Sequence, residues 1–222
     1  MGMAFGIHEL LDQVGATLGP LLAIVVLSSL HSTQAVFLAL TVPYIFLLAS
    51  ITRLPKHVEH SEVSYTLKPS RKILVYSGVV GLNSAGLLPA SLVLYMVSAA
   101  AGAGSWLVPA AYTLAMVVDA TTGLIMGKAF DKWGGFVVSA GIAVSILPAL
   151  FVNAPIPLLM VCASLVGVAV GAQETVFRAL VAQLAEKDGL GTSYAYYGIA
   201  LGAGSAVAGT VYGYMIEFGA PT

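Results

Sequence analysis

The sequence predicts an all-helical membrane protein with about seven transmembrane helices, on the evidence of its composition and of its charge pattern. Of the 222 residues, 59% are hydrophobic and only 9% are charged, and the mean hydropathy is +0.95. Soluble domains carry about 25% charged residues, so this chain has too little polar surface to cover a water-soluble globule. Soluble enzymes, nucleic-acid-binding proteins and secreted disulfide scaffolds are therefore excluded. The single cysteine, Cys162, cannot form an intramolecular disulfide.

Long stretches without charge define the individual helices. A helix needs about 20 apolar residues to cross the hydrocarbon core, so three of the stretches are long enough for two crossings each and the last for one. The charge-free stretches are residues 13–52, 73–118, 133–173 and 189–216. Turn signals at 31–33, 101–105 and 153–155 divide the three long ones. The predicted spans are 8–30, 34–53, 73–99, 105–128, 135–152, 156–177 and 192–216. Strands are disfavoured, because membrane strands alternate apolar and polar residues and these segments do not.

The basic residues predict how the helices are oriented. All of them fall in alternate loops: Arg53, Lys56, Lys68, Arg71, Lys72, Lys128, Lys132, Arg178 and Lys187. Cytoplasmic loops carry the excess of Lys and Arg, so this pattern places the N-terminus in the cytoplasm and the C-terminus outside. We expect an integral protein of a prokaryotic plasma (inner) membrane.

Glycine spacing is the next signal. Small residues four apart let membrane helices approach closely, and such pairs are Gly15/Gly19, Gly123/Gly127, Gly167/Gly171 and Gly209/Gly213. Two of these pairs belong to longer motifs. Residues 127–134 read Gly-Lys-Ala-Phe-Asp-Lys-Trp-Gly between two predicted spans, and residues 15–20 read Gly-Ala-Thr-Leu-Gly-Pro in the first. Phe5-Gly6-Ile7 also has a counterpart six spans later, Tyr197-Gly198-Ile199.

These motifs resemble those of the major facilitator superfamily of secondary transporters. Gly127, Asp131, Lys132 and Gly134 match its Gly-x-x-x-Asp-Arg/Lys-x-Gly loop signature, and Gly15, Gly19 and Pro20 match its helix-five motif. The family is built from two parallel six-helix repeats. The resemblance implies that residues 1–53 are the last two helices of the first half, 54–72 the central cytoplasmic loop, and 73–222 the first five helices of the second half. The chain is then a fragment of helices 5–11, and its partners include the missing helices of the full-length protein.

Asp119 is the strongest candidate for a functional residue. It lies about fourteen residues into the fourth span, and a carboxylate near the bilayer midplane must be protonated, paired or open to an aqueous cavity. Proton coupling or substrate binding and a structural hydrogen bond both remain open. Asn83 and Gln173 are neutral polar groups at similar depth, either helix-contact residues or ligand contacts. Glu9 and Asp12 begin the first span, where carboxylates are usual.

The resemblance assigns a gating role to a second set of residues. It implies that Asp131 lies in a loop against the first turn of the first span, near residues 5–9, and against Arg178. Such a contact combines a carboxylate at a helix N-terminus with a charge-assisted bond, and it can hold the two halves together in one state. Glu174 is one turn before Arg178, so it either pairs with Arg178 or belongs to the same contact.

The function expected is alternating-access transport of a small solute across the lipid bilayer, coupled to protons or another ion. A seven-helix receptor is the alternative, which the predicted cytoplasmic N-terminus disfavours. An intramembrane enzyme is disfavoured because no catalytic partner accompanies Asp119 at depth. We expect no metal, no cofactor and no nucleic acid among the partners.

Overall fold

The computed structural model describes residues 2–53, 68–102, 104–185 and 189–218, and every regular element in these ranges is helical. The α-helices, in chain order, are α1 Gly2–Leu30, α2 Thr33–Ile51, α3 Arg71–Gly86, α4 Ala90–Ala101, α5 Leu107–Trp133, α6 Phe136–Val144, α7 Ile156–Ala172, α8 Arg178–Leu184 and α9 Leu190–Phe218. A 3-10 turn, Leu147–Phe151, follows α6, and a π-helical turn, Gln173–Phe177, joins α7 to α8. Most of the predicted central loop, residues 54–67, lies outside the described residues.

Within the described ranges, six helical segments are long and apolar enough to cross a membrane, which is the character of an integral membrane protein. They are α1, α2, the segment Arg71–Ala101, α5, the segment Ile156–Leu184 and α9. The predicted span 135–152 is instead a shorter apolar segment, Phe136–Phe151. Its α-helix ends at Val144, and Pro148 lies near the start of the 3-10 turn that replaces it. Proline has no N–H to continue the α-helical hydrogen bonds, so the α-helical part of this apolar segment is shorter than predicted.

The predicted turns lie where the sequence signals put them. His31 and Asn153 take positive φ values of 48° and 58°, and the helix C-cap Gly102 takes 89°. Glycine takes positive φ values freely, and His and Asn take them more often than most other residues do. This explains why helices end at these three positions. The third span is interrupted, because Pro89 caps α4 in extended conformation and separates it from α3.

Helix packing centres on α5. The first helix, α1, runs antiparallel to α5, with Gly2 opposite Gly127 and Gly6 opposite Gly123. On another face α7 runs parallel to α5, with Gly167 against the Ala115 backbone. The helices α3 and α9 form a further parallel pair.

Two of the four predicted glycine pairs make these close contacts. A Cβ atom added to Gly127 would lie 2.6 Å from the Gly2 carbonyl oxygen, and one added to Gly171 would lie 2.6 Å from the Asp119 carbonyl oxygen. No described atom lies within 4 Å of a Cβ added to Gly15, Gly19, Gly209 or Gly213. The prediction of close packing through the Gly15/Gly19 and Gly209/Gly213 pairs is therefore not met among the described residues, because no other described helix reaches those faces.

Burial differs strongly between helices. In the most apolar stretch of α1, and in that of α2, only 6% of the residues are buried. In the most apolar stretch of the segment Ile156–Leu184, 50% are buried. Two apolar clusters fill the interior, one around Phe130 and Phe177 and the other around Val97 and Leu159. The buried polar residues Asp119, Gln13 and Thr175 contribute to neither cluster.

Candidate functional site

The structure gives Asp119 two polar neighbours on another helix. The Asp119 side chain is fully buried on α5, and its Oδ2 accepts a hydrogen bond of 2.9 Å from the Gln13 side-chain nitrogen of α1. The same Gln13 nitrogen donates to Glu9 Oε1 at 2.6 Å. One amide group therefore joins two carboxyl groups across the α1–α5 contact. We call Glu9, Gln13 and Asp119 the carboxyl cluster.

The spacing of small and polar residues on α1 builds this cluster. The buried residues of α1 are Gly2, Gly6, Glu9 and Gln13, which recur every three or four positions and so share one face of the helix. The glycines bring this face close to α5, and Glu9 and Gln13 continue the same line to the level of Asp119. Small residues and polar groups that bond across helices are the usual components of helix contacts in membranes.

The sequence-based placement of Glu9 and Asp12 at the start of the first helix is wrong for both residues. Glu9 was expected to be an ordinary carboxylate at the start of a helix. The helix begins at Gly2, however, so Glu9 lies two turns inside it and is only 3% exposed. Asp12 is on the exposed side of α1, where it pairs with His8 at 3.1 Å.

Three buried oxygen atoms around the cluster have no hydrogen-bond partner within the described part of the chain. They are Gln13 Oε1, Asp119 Oδ1 and Thr175 Oγ1. Thr175 is fully buried in the π-helical turn, and its hydroxyl oxygen would lie 2.9 Å from a Cβ on Gly123, beside Glu9. Buried polar groups are nearly always hydrogen-bonded. Three buried oxygen atoms without a partner in one region of the described chain are therefore an uncommon feature of the structure.

Arg178 begins α8, directly after the π-helical turn. Its guanidinium is in direct ion-pair contact with Glu174, four residues earlier. The local i,i+4 pairing of Glu174 with Arg178 is therefore present. Both side chains are partly exposed, at 36% for Arg178 and 27% for Glu174.

Tyrosine hydroxyl groups bind the backbone around the π-helical turn. Tyr76 of α3 donates to the Phe177 carbonyl at 3.0 Å, and Tyr197 of α9 donates to the Gln173 carbonyl at 3.1 Å. A π-helical turn disturbs the regular α-helical pairing, and such turns are frequent at functional sites. The two tyrosines bind the backbone of the turn that carries Thr175.

Asp131 makes the contact with α1 that the resemblance implied, at a slightly different place. Its two carboxylate oxygens accept the backbone N–H groups of Gly2 at 2.7 Å and Met3 at 2.8 Å. The partners are thus the first residues of α1 rather than residues 5–9. Asp131 also belongs to the last turn of α5 rather than to a loop, because α5 continues to Trp133 before Gly134 ends it.

The remaining motif residues have identifiable physical roles. Gly134 adopts a φ of 60°, a conformation that favours glycine, and its N–H bonds the Phe130 carbonyl at 2.7 Å. Gly127 allows the close approach of α1. Lys132 is exposed, with its ammonium group 5.1 Å from the centre of the Trp133 ring.

The other predicted site residues lie apart from the carboxyl cluster. Asn83 is half-buried and donates a long hydrogen bond of 3.5 Å to Ser145. Gln173 makes a similar 3.5 Å contact with Ser84. Gly19 and Pro20 line an apolar groove that also involves Leu40 of α2. Among the described residues no group of three or more His, Cys, Asp or Glu side chains is placed to hold a metal ion.

Comparison with known proteins finds relatives in mycobacteria. The chain is 31% identical, in an alignment 236 positions long, to uncharacterized proteins of Mycobacterium bovis and Mycobacterium tuberculosis. The alignment covers 97% of this chain and 56% of each relative, so the chain spans little more than half the length of those proteins. No protein-family model and no solved structure matches the chain.

Proposed function

We propose that the chain belongs to a secondary transporter of the major facilitator type, which moves a small solute by alternating access coupled to an ion. The observation that carries this proposal is the contact of Asp131 with the first two N–H groups of α1. A carboxylate on the positive end of a helix is favourable but only modestly so, because the contact is exposed to solvent. Such a contact can therefore break and re-form as two halves of a transporter move.

The length of the relatives supports the same proposal. Six long apolar segments and one shorter one occur in a chain that corresponds to 56% of each relative. Crossings at the same density would give roughly twelve over the whole length, the number in two six-helix repeats. On this proposal α1 and α2 end the first half, and the helices from α3 onward belong to the second.

The placement of basic residues supports the proposed orientation. Arg71 and Lys72 begin α3, Lys128 and Lys132 end α5, and Arg178 begins α8. The helix directions put these ends together, since Tyr76 reaches Phe177 and Gly127 approaches Thr175. One basic end is the pattern expected of a cytoplasmic face, which gives a cytoplasmic N-terminus in a bacterial inner membrane. Lys56 and Lys187 lie outside the described residues.

The site for ion coupling in this proposal is Asp119. Ionisable side chains inside membrane segments are costly to bury and mark substrate or ion pathways. Asp119 is fully buried at the contact between α5 and α1, which on this proposal belong to different halves of the transporter. A change in its charge therefore acts where the halves meet.

A comparison of small solutes in intact cells tests the proposal. Cells that produce the full-length wild-type protein, cells with Asp119→Asn and cells without the protein are compared for the internal level of each measurable solute. We expect a wild-type-dependent gradient of at least one solute, which an uncoupler of the proton gradient abolishes and Asp119→Asn reduces at least tenfold. Identical solute levels in all three strains would overturn the proposal.

A further inference from the structure

We propose that the carboxyl cluster binds an exchangeable proton between Glu9 and Asp119, with Gln13 as the bridge. This inference deepens the proposed function, because it names the coupling ion and adds two residues of α1 to the site. The inference stands on the geometry of the cluster, and its test does not require a transported solute.

The number of hydrogen-bond donors in the cluster is the first argument. The Gln13 amide has two N–H hydrogens, and its nitrogen is within hydrogen-bond distance of both carboxyl groups. Asp119 Oδ1 and Gln13 Oε1 remain without a donor in the described chain. An ionised carboxylate only accepts hydrogen bonds, whereas a protonated one contributes an O–H donor. A proton on either carboxyl group therefore reduces the shortage of donors.

The charge balance is the second argument. Two ionised carboxylates joined by a neutral amide would place two negative charges in a site that is at most 8% exposed at each residue. Removing a charge from water costs several kcal/mol unless it is well paired. Arg178 is already in contact with Glu174, and His8 and Asp12 face solvent on the other side of α1. None of the helices α4, α6 and α7 carries a charged residue, so none of them supplies a cation to pair with the two carboxylates.

Thr175 is a further buried polar group beside the cluster. Its side chain is fully buried, its hydroxyl oxygen has no partner among the described residues, and that oxygen lies beside Gly123 and the Glu9 side chain. It comes from a different element, the π-helical turn, so it is not part of the chain of bonds within the cluster. A hydroxyl group both donates and accepts hydrogen bonds, so Thr175 adds a polar group beside the cluster that can bond a carboxyl group in either protonation state.

The arrangement favours a proton over a metal cation. Gln13 directs its N–H groups, not its carbonyl oxygen, toward the two carboxyl groups. These hydrogens carry partial positive charge and would repel a metal ion at the same point.

In the proposed step the carboxyl O–H bond breaks, the electron pair stays on the carboxylate oxygen and the proton passes to water.

Infrared difference spectroscopy during a pH titration tests this inference. The full-length protein is placed in lipid nanodiscs, and the C=O absorption of a protonated carboxylic acid is followed. The variants are Asp119→Asn, Glu9→Gln and the matched control Asp12→Asn, which changes an exposed carboxylate one turn from Glu9. Thermal melting of each variant verifies that it is folded, and each titration is repeated with sodium replaced by choline.

We expect a titrating carboxylic acid band in the wild type that is unchanged in Asp12→Asn. Its amplitude should fall by at least half in Asp119→Asn and in Glu9→Gln, because each variant removes one of the two groups that share the proton. Absence of such a band from the wild-type protein overturns the inference, as does a band that both variants retain. A band whose midpoint depends on sodium overturns it in favour of a metal cation site. None of these results depends on whether a solute is transported.

Discussion

Gly6 of α1 and Gly123 of α5 lie backbone against backbone, so that a Cβ on Gly6 would come within 2.8 Å of the Gly123 carbonyl oxygen. No side chain larger than hydrogen fits there unless the helices move apart. The contact therefore controls how closely α1 approaches α5, and with it whether Gln13 can bridge Glu9 and Asp119.

The first prediction concerns this glycine contact. Gly6→Ala should lower the stability of the protein by about 1–3 kcal/mol, because overpacking forces a backbone shift. Gly15→Ala is the matched control on the same helix, since no described atom lies within 4 Å of the added Cβ. It should leave stability unchanged or raise it slightly, because alanine favours helix more than glycine does. Melting temperature measures both variants, and equal effects would contradict the assigned contact.

The second prediction concerns Asp131. Asp131→Asn keeps the size of the side chain but removes the charge that faces the N–H groups of Gly2 and Met3. A carboxylate stabilises the helix terminus that it faces, so amide hydrogen exchange in the first turn of α1 should accelerate by up to about fivefold in this variant. Asp12→Asn is the control. Exchange as slow as in the wild type would show that Asp131 does not hold the start of α1.

The third prediction concerns the pair formed by Glu174 and Arg178. Both side chains are partly exposed, so their interaction should be worth about 0.3–0.5 kcal/mol, as for other helix-surface pairs four residues apart. A double-mutant cycle with Glu174→Gln and Arg178→Gln measures this coupling from unfolding free energies. A coupling several times larger would contradict a purely local pair and place both residues in the gating contact.

The fourth prediction concerns the tyrosines at the π-helical turn. Tyr76→Phe and Tyr197→Phe each leave a buried carbonyl without its hydroxyl donor and should cost about 1–3 kcal/mol in stability. Tyr196→Phe is the control, because Tyr196 is 38% exposed on the same helix as Tyr197. Melting temperatures distinguish these outcomes. If all three variants melt alike, the hydroxyl groups do not support the turn.

The sequence was sufficient for the features that depend on local physics. The absence of charge located the apolar segments, and residues such as His31 and Asn153 marked turns because they tolerate a left-handed backbone. It did not predict that the α-helix of the segment 135–152 ends at Val144, before the 3-10 turn that contains Pro148. The orientation of the chain in the membrane and its transport function stay predictions.

The carboxyl cluster was only half predictable. Asp119 stood out because it is a carboxylate in the middle of a predicted span, far from any polar loop. Glu9, in contrast, was mistaken for a residue at the start of a helix. The missed signal is the periodicity of Gly2, Gly6, Glu9 and Gln13, which places two glycines and two polar residues on one face. Thr175 could not have been found, because its position depends on a π-helical turn that no residue pattern indicates.

Distances between spin labels at the two ends of the α1–α5 contact test the central claim, alternating access, most directly. In a Cys162→Ala background of the full-length protein, one pair of labels is placed on the exposed residues Ile7 and Ile125, and the other on the exposed residues Leu30 and Trp106. Pulsed electron resonance in nanodiscs is recorded at pH values above and below the infrared titration. The account predicts two populations whose distances change in opposite directions at the two ends. A single distance at each end, independent of pH, would contradict it.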